Sequence, residues 1–172
     1  MRNRTAAATA LATALACTGV VLGAQPAAAD TVSVGYTCTG PGAPSGVVSL
    51  TVTVTAPASV PQGGTADLTV SATTALTTPV NLPANSVSGE MTIALGGSAS
   101  GTVTATGFTN PDPVPSGSTV AVSGGTASAQ LSTAGSATFS PGNASVHVFG
   151  ATVECAVSGT APVAATTEVT PS

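Results

Sequence analysis

The sequence predicts an all-β, antiparallel fold tied by one disulfide. Three observations carry the prediction. Val and Thr, which are stiff at χ1 and suited to pleated sheets, dominate, while helix formers other than Ala are scarce. Apolar residues recur at every second position in short runs, and Gly or Pro separates the runs. Cys38 and Cys155 each fall on the apolar phase of such a run, which points both side chains inward.

The runs follow in order. Val32, Val34, Tyr36 and Cys38 alternate with polar or small residues. Val48–Ala56 is the clearest strand: Val48, Leu50, Val52, Val54 and Ala56 face one way, Ser49, Thr51, Thr53 and Thr55 the other. Period two over that length marks a half-buried antiparallel strand. Pro57 ends it, and Val60–Gly64 reads as a turn because Pro fixes φ and Gly tolerates positive φ. Ala66–Thr73 resumes the alternation. Pro79–Pro83 reads as a linker or edge crossing, since Pro cannot donate to a central ladder. Val87–Leu95 follows, then short strands at Thr102–Thr106, Thr119–Ser123 and Ala127–Leu131. Asn110–Pro115 reads as a rigid exposed loop. Ala137–Phe139, Ser145–Phe149, Ala151–Val157 and Val163–Val169 complete the set. Gly96–Gly107 and Gly124–Gly135 are weakly self-similar, which low complexity explains as well as a repeat does.

Arg2 and Arg4 begin an apolar stretch that runs to Ala24, and Ala27 and Ala29 supply a small-x-small cleavage pattern. That is the form of a secretory signal over residues 1–29, with a mature domain at 30–172 that is secreted or held at the cell envelope. Asn3 separates the two arginines, so there is no twin-arginine pair. Cys17 lacks the spacing and polar tether of a lipoprotein and reads as an ordinary residue of the signal. No second apolar run of about 20 residues exists, so no membrane span is expected. An even pair of cysteines in an exported chain reads as a disulfide, here Cys38–Cys155.

Short strands at regular spacing with Gly/Pro turns fit a sandwich or barrel, and an immunoglobulin-like β-sandwich fits best. The pattern also resembles a loosely defined group of small exported β-sandwich proteins of high-GC actinobacteria. Tyr36-Thr37-Cys38-Thr39, the Val48–Ala56 strand with Pro57 and Gly63-Gly64, and Val153-Glu154-Cys155 carry the resemblance. It implies a disulfide-tied sandwich and extracellular life, and carries over no catalytic residue.

After residue 4 there is no Lys or Arg, against six acids: Asp30, Asp67, Glu90, Asp112, Glu154 and Glu168. Nothing neutralises phosphate, so nucleic acid and anionic membrane are excluded as partners. No Lys is present for a Schiff base and no Arg to grip a carboxylate. His147 is the one imidazole; on its strand it alternates with Val146 and Val148 and so faces solvent. No Gly-x-Ser-x-Gly elbow accompanies it. The acids show no Asp-x-Asp and no calcium-loop pattern, so no metal ligands and no cofactor are assigned, with Ca²⁺ the one ion that scattered carboxylates leave open. Tyr36 reads as core packing, and Asn143-Ala144-Ser145 as an exposed turn.

The function expected is a non-catalytic binding or structural module of the cell envelope or extracellular matrix. Outward strand faces rich in Ser and Thr suit a cell-wall glycan or a protein partner. Lys-free sheet edges lack one guard against self-association. Two alternatives stand beside it. One is an extracellular hydrolase using scattered carboxylates and His147. The other is a carrier of a small apolar ligand, which requires a sizeable internal cavity.

Overall fold

A computed structural model describes residues 27–172. Arg2, Arg4, Cys17 and the apolar stretch of the expected signal lie outside the described residues. Ten strands account for the fold: β1 (Ala27–Thr39), β2 (Val47–Pro57), β3 (Ser59–Pro61), β4 (Gly64–Thr77), β5 (Val87–Gly97), β6 (Gly101–Thr109), β7 (Thr119–Leu131), β8 (Gly135–Val148), β9 (Ala151–Val157) and β10 (Ala165–Thr170). The protein is all-β, as expected. The cut expected after Ala29 falls inside β1, where Ala27–Ala29 pair with Thr55–Pro57 of β2.

All ten strands belong to one hydrogen-bonded sheet. One half runs β9-β1-β2-β4-β7, the other β6-β5-β8-β10-β3. Two seams join them: β6–β7, paired at Thr106↔Thr126 and Thr109↔Ser123, and β8–β9, paired from Ala144↔Cys155 to Val148↔Ala151. Every pairing is antiparallel except β10–β3. The joined seams leave few free edges, so the edge pairing expected of Lys-free strands has little backbone to work with.

The core lies between the halves. Tyr36, Val52, Val54, Leu68 and Leu131 face Met91, Ile93, Ala137 and Phe139, all buried. Burying each large side chain removes apolar area worth about 1.5–3 kcal/mol. Tyr36 is 0 % exposed, and its hydroxyl donates to the Gly142 carbonyl at 2.9 Å. Burial pushes its phenol up to about 12. Cys38 and Cys155 sit opposite each other on β1 and β9 and are disulfide-bonded, 117 residues apart in sequence. That bond ties β1 to β9 within one half of the sheet, and β9 in turn pairs β8 of the other half.

Irregularities explain where the strands differ from the sequence reading. Thr119–Ser123 and Ala127–Leu131 are one strand, β7, interrupted by a bulge that shifts the period-two phase. Ala137–Phe139 and Ser145–Phe149 likewise belong to β8, which runs through Pro141. Pro141 sits where β8 passes from pairing β10, through Phe139, to pairing β9, from Ala144, and on its other side it pairs Ile93 of β5 next to a register shift. Pro is tolerated at such irregular positions of a sheet. Asn143 and Ser145 are therefore in a strand, not an exposed turn, and Ser145 is buried. The turn expected at Val60–Gly64 contains β3, which docks on β10. Phe149 leaves β8 for the β8–β9 turn with φ of 49°, 64 % exposed.

Candidate functional site

Along the outer face of β4 the molecule carries a continuous groove, made of three depressions that share walls. The first, about 360 Å³, is lined by Thr55, Pro57, Thr65, Asp67 and Thr69. The second, about 230 Å³, shares Thr55 and Thr69 and adds Thr53, Ser71, Ser123 and Gly124. The third, about 340 Å³, shares Ser71 and Ser123 and reaches Thr73, Thr119, Pro111 and Asp112. From Thr65 to Thr73 a strand extends about 26 Å, at roughly 3.3 Å per residue.

Period-two alternation builds the lining. Thr53, Thr55, Thr69, Ser71 and Thr73 are the outward phase of β2 and β4, with Thr53 opposite Ser71 and Thr55 opposite Thr69. Val52, Val54, Leu68, Val70 and Ala72 occupy the inward phase and are buried. The middle and far depressions meet a bulge in β7: between Val70↔Gly125 and Ala72↔Val122, two residues, Ser123 and Gly124, face the single Ser71. Gly124 takes φ of 80°, a left-handed conformation that costs a side chain. Such bulges bend a strand and open its ladder. Gly125 beside it lies directly under the Phe108 ring, where a Cβ would collide.

A pair of proline-rich loops walls the far end. The Pro79–Pro83 segment and the Pro111–Pro115 segment, read separately in the sequence, are zipped together by Leu82 and Val114, which exchange N–H to carbonyl bonds of 2.9 and 2.8 Å. Asn110, 1 % exposed, pins them. Its Oδ1 accepts from the Val87 N–H at 2.8 Å, and its Nδ2 donates to the carbonyls of Pro83 and Asp112 at 2.7 and 3.0 Å. The Ser116 hydroxyl donates to the Pro79 carbonyl at 2.9 Å. Asp112 is thus presented, exposed, from a pre-organised loop. At the near end Asp67 accepts from the Ser128 hydroxyl at 2.7 Å.

The opposite outer face gathers the residues on which a hydrolase would depend. Glu90, Ser145 and Glu154 stand in one row across β5, β8 and β9, and Ser88, His147 and Thr152 in the next. There Ser145 Oγ donates to Glu154 Oε1 at 2.9 Å, and His147 Nδ1 lies 2.9 Å from Thr152 Oγ1. His147 is exposed, as expected, and it engages Thr152 rather than the serine. β8 is paired on both sides here, so its backbone N–H groups are spent on the ladder and none is left to cradle an oxyanion. Asp30, Asp67, Asp112 and Glu168 stand elsewhere. Among the described residues no three His, Cys, Asp or Glu side chains converge as a metal site.

Beneath that face lies an apolar cavity of about 40 Å³, lined by Leu50, Val87, Met91, Phe108 and Val146 among others. A pocket for a small-molecule ligand runs to about 300 Å³ or more, so the cavity offers no room for the cargo of a carrier. No helix among the described residues is long and apolar enough to cross a membrane. No protein family, curated protein or solved structure matches the chain.

Sequence reasoning found the hydroxyl faces but missed the groove. Its signal was Ser123-Gly124-Gly125, two glycines at the point where the apolar phase of β7 reverses.

Proposed function

We propose that this chain is an exported, non-catalytic module that binds a polymer of the cell envelope or extracellular matrix through the groove along β4. The observation that carries the reading is the continuity of the three depressions under one row of outward hydroxyls. A long, open channel bordered by hydroxyls suits an extended chain threaded across a rigid sheet, and a glycan presents matching donors and acceptors at every unit. Multiple weak contacts along a polymer add through effective concentration. The fold is read as an immunoglobulin-like Greek key, supported by the exchange in which β4 pairs β7 while β5 pairs β8. The absence of Lys and Arg beyond residue 4 speaks against nucleic acid and anionic lipid as partners. The disulfide and the n-region, apolar stretch and Ala-x-Ala pattern of residues 1–29 support secretion.

Co-sedimentation of residues 30–172 with insoluble cell wall and with a panel of insoluble polysaccharides tests this. Saturable retention that Thr69→Arg abolishes, with the fold intact by circular dichroism, is the expected result. Retention on none of the polymers, or retention indifferent to Thr69→Arg, overturns the reading.

A further inference from the structure

We propose that the groove selects an extended polysaccharide bearing free, protonated amino groups, held at its two ends by Asp67 and Asp112. The proposal rests on the polymer-binding reading above and names the chemistry of the polymer.

The argument starts from what the groove lacks. None of the three depressions is lined by an aromatic side chain, so no ring offers the stacking platform on which sugars usually gain apolar contact. Hydroxyl-to-hydroxyl bonds remain, and each exchanges for a comparable bond to water with little net gain. A neutral polyol would therefore fit the groove and bind it weakly. The groups able to do more are the carboxylates, because hydrogen bonds with an ionised partner are roughly twice as strong as neutral ones.

Two carboxylates belong to the groove, and they stand at opposite ends. Asp67 lines the first depression and Asp112 the third. Both are exposed. No Lys or Arg exists among the described residues to neutralise either, and the single His147 lies on the other face. Ser128 orients the Asp67 carboxylate, and the Asn110-pinned loop carries Asp112. From Asp67 to Thr73 alone β4 covers about 20 Å, so one ammonium group cannot serve both acids. The complement is a chain carrying cationic groups at intervals. The same charge repels uronic-acid and phosphate-bearing polymers.

The test is calorimetric titration of residues 30–172 with chitin-type oligosaccharides in two forms, fully N-acetylated and fully N-deacetylated, at a pH where the free amines are protonated. The deacetylated form is expected to bind about tenfold more tightly, and the preference to shrink as salt screens the exposed charges. Asp67→Asn and Asp112→Asn should each reduce the preference, and together they should erase it without weakening the acetylated form. Asn keeps an acceptor for Ser128, so the fold is preserved. Equal affinity for the two forms, or a preference that survives the double substitution, overturns this inference and leaves the polymer-binding reading standing. Binding of neither form overturns this inference as well, and the co-sedimentation panel then decides whether the broader reading survives.

Discussion

The two outer faces of the sheet are made of similar residues and differ in what those residues are free to do. On the β5–β8–β9 face, Glu90, Ser145, Glu154, His147 and Thr152 stand in register, with β5 shifting register beside them at Gly89/Glu90 and Met91/Ile93. Ser145 and Glu154 satisfy each other, and so do His147 and Thr152. On the β2–β4–β7 face the side chains are plainer, mostly Thr and Ser, and a bulge at Ser123-Gly124 borders the middle and far depressions. The comparison teaches that both faces carry irregular ladders, and that they differ in whether their polar side chains are already bonded to one another: Ser145, His147 and Glu154 are, while most hydroxyls along β4 are open to a ligand.

The disulfide gives the largest expected effect, because it ties β1 to β9, the strand that pairs β8 across a seam between the two halves. Replacing both cysteines by serine is expected to lower stability by about 4–5 kcal/mol, the chain-entropy cost of releasing so long a loop. Urea unfolding measures it. Polymer retention by the fraction that remains folded should persist, since the groove uses neither cysteine.

Gly124→Ala is the next step down. A side chain in the left-handed region costs about 1–2 kcal/mol, read as a shift in the thermal midpoint, and repacking the bulge should lower polymer retention together with stability. Loss of stability with retention unchanged would show that retention does not depend on the bulge.

Alkaline pH acts on the core that both faces share. Burial raises the Tyr36 phenol from 10.0 to about 12. The fold therefore favours the neutral phenol, and this contribution is whole below pH 10 and lost as pH rises toward 12. Tyr36 is the only tyrosine, so phenolate absorbance follows it alone. Ionisation and unfolding should coincide; a phenolate that forms near 10 in the folded protein contradicts the burial described.

The smallest effects belong to the exposed pair on the β5–β8–β9 face. Thr152→Ala and His147→Ala should each change stability by no more than about 0.5 kcal/mol by urea unfolding, and leave retention unaltered in the co-sedimentation assay. A large loss of retention in either would move the site to that face.

Much of the fold was legible in the chain. Period-two alternation placed the clear strands, including Val48–Ala56 and Ala66–Thr73, and the same phase pointed Cys38 and Cys155 inward, where they are bonded. The breaks were where alternation fails for a physical reason. The Ser123-Gly124 bulge reverses the phase within β7, so one strand read as two. Ala137–Phe139 and Ser145–Phe149 read as two strands, yet β8 runs through Pro141, where its ladder with β5 shifts register and its other edge changes partners. The proline segments at 79–83 and 111–115 read as unrelated loops, because nothing local in either announces that Leu82 will pair with Val114 or that Asn110 will pin both. The groove was illegible for the same reason: its residues alternate visibly, but its walls include β7 and the Pro111–Pro115 loop, which only tertiary pairing brings beside β4.

The most direct measurement is amide chemical-shift mapping of residues 30–172 during titration with a soluble oligosaccharide of the retained polymer. The account predicts shifts confined to β2, β4 and β7 around Thr55, Thr69, Ser71, Ser123 and Gly124, extending to Asp67 and Asp112. Shifts centred on Ser88, Glu90, Ser145, His147 and Glu154 would contradict it and place the site on the opposite face.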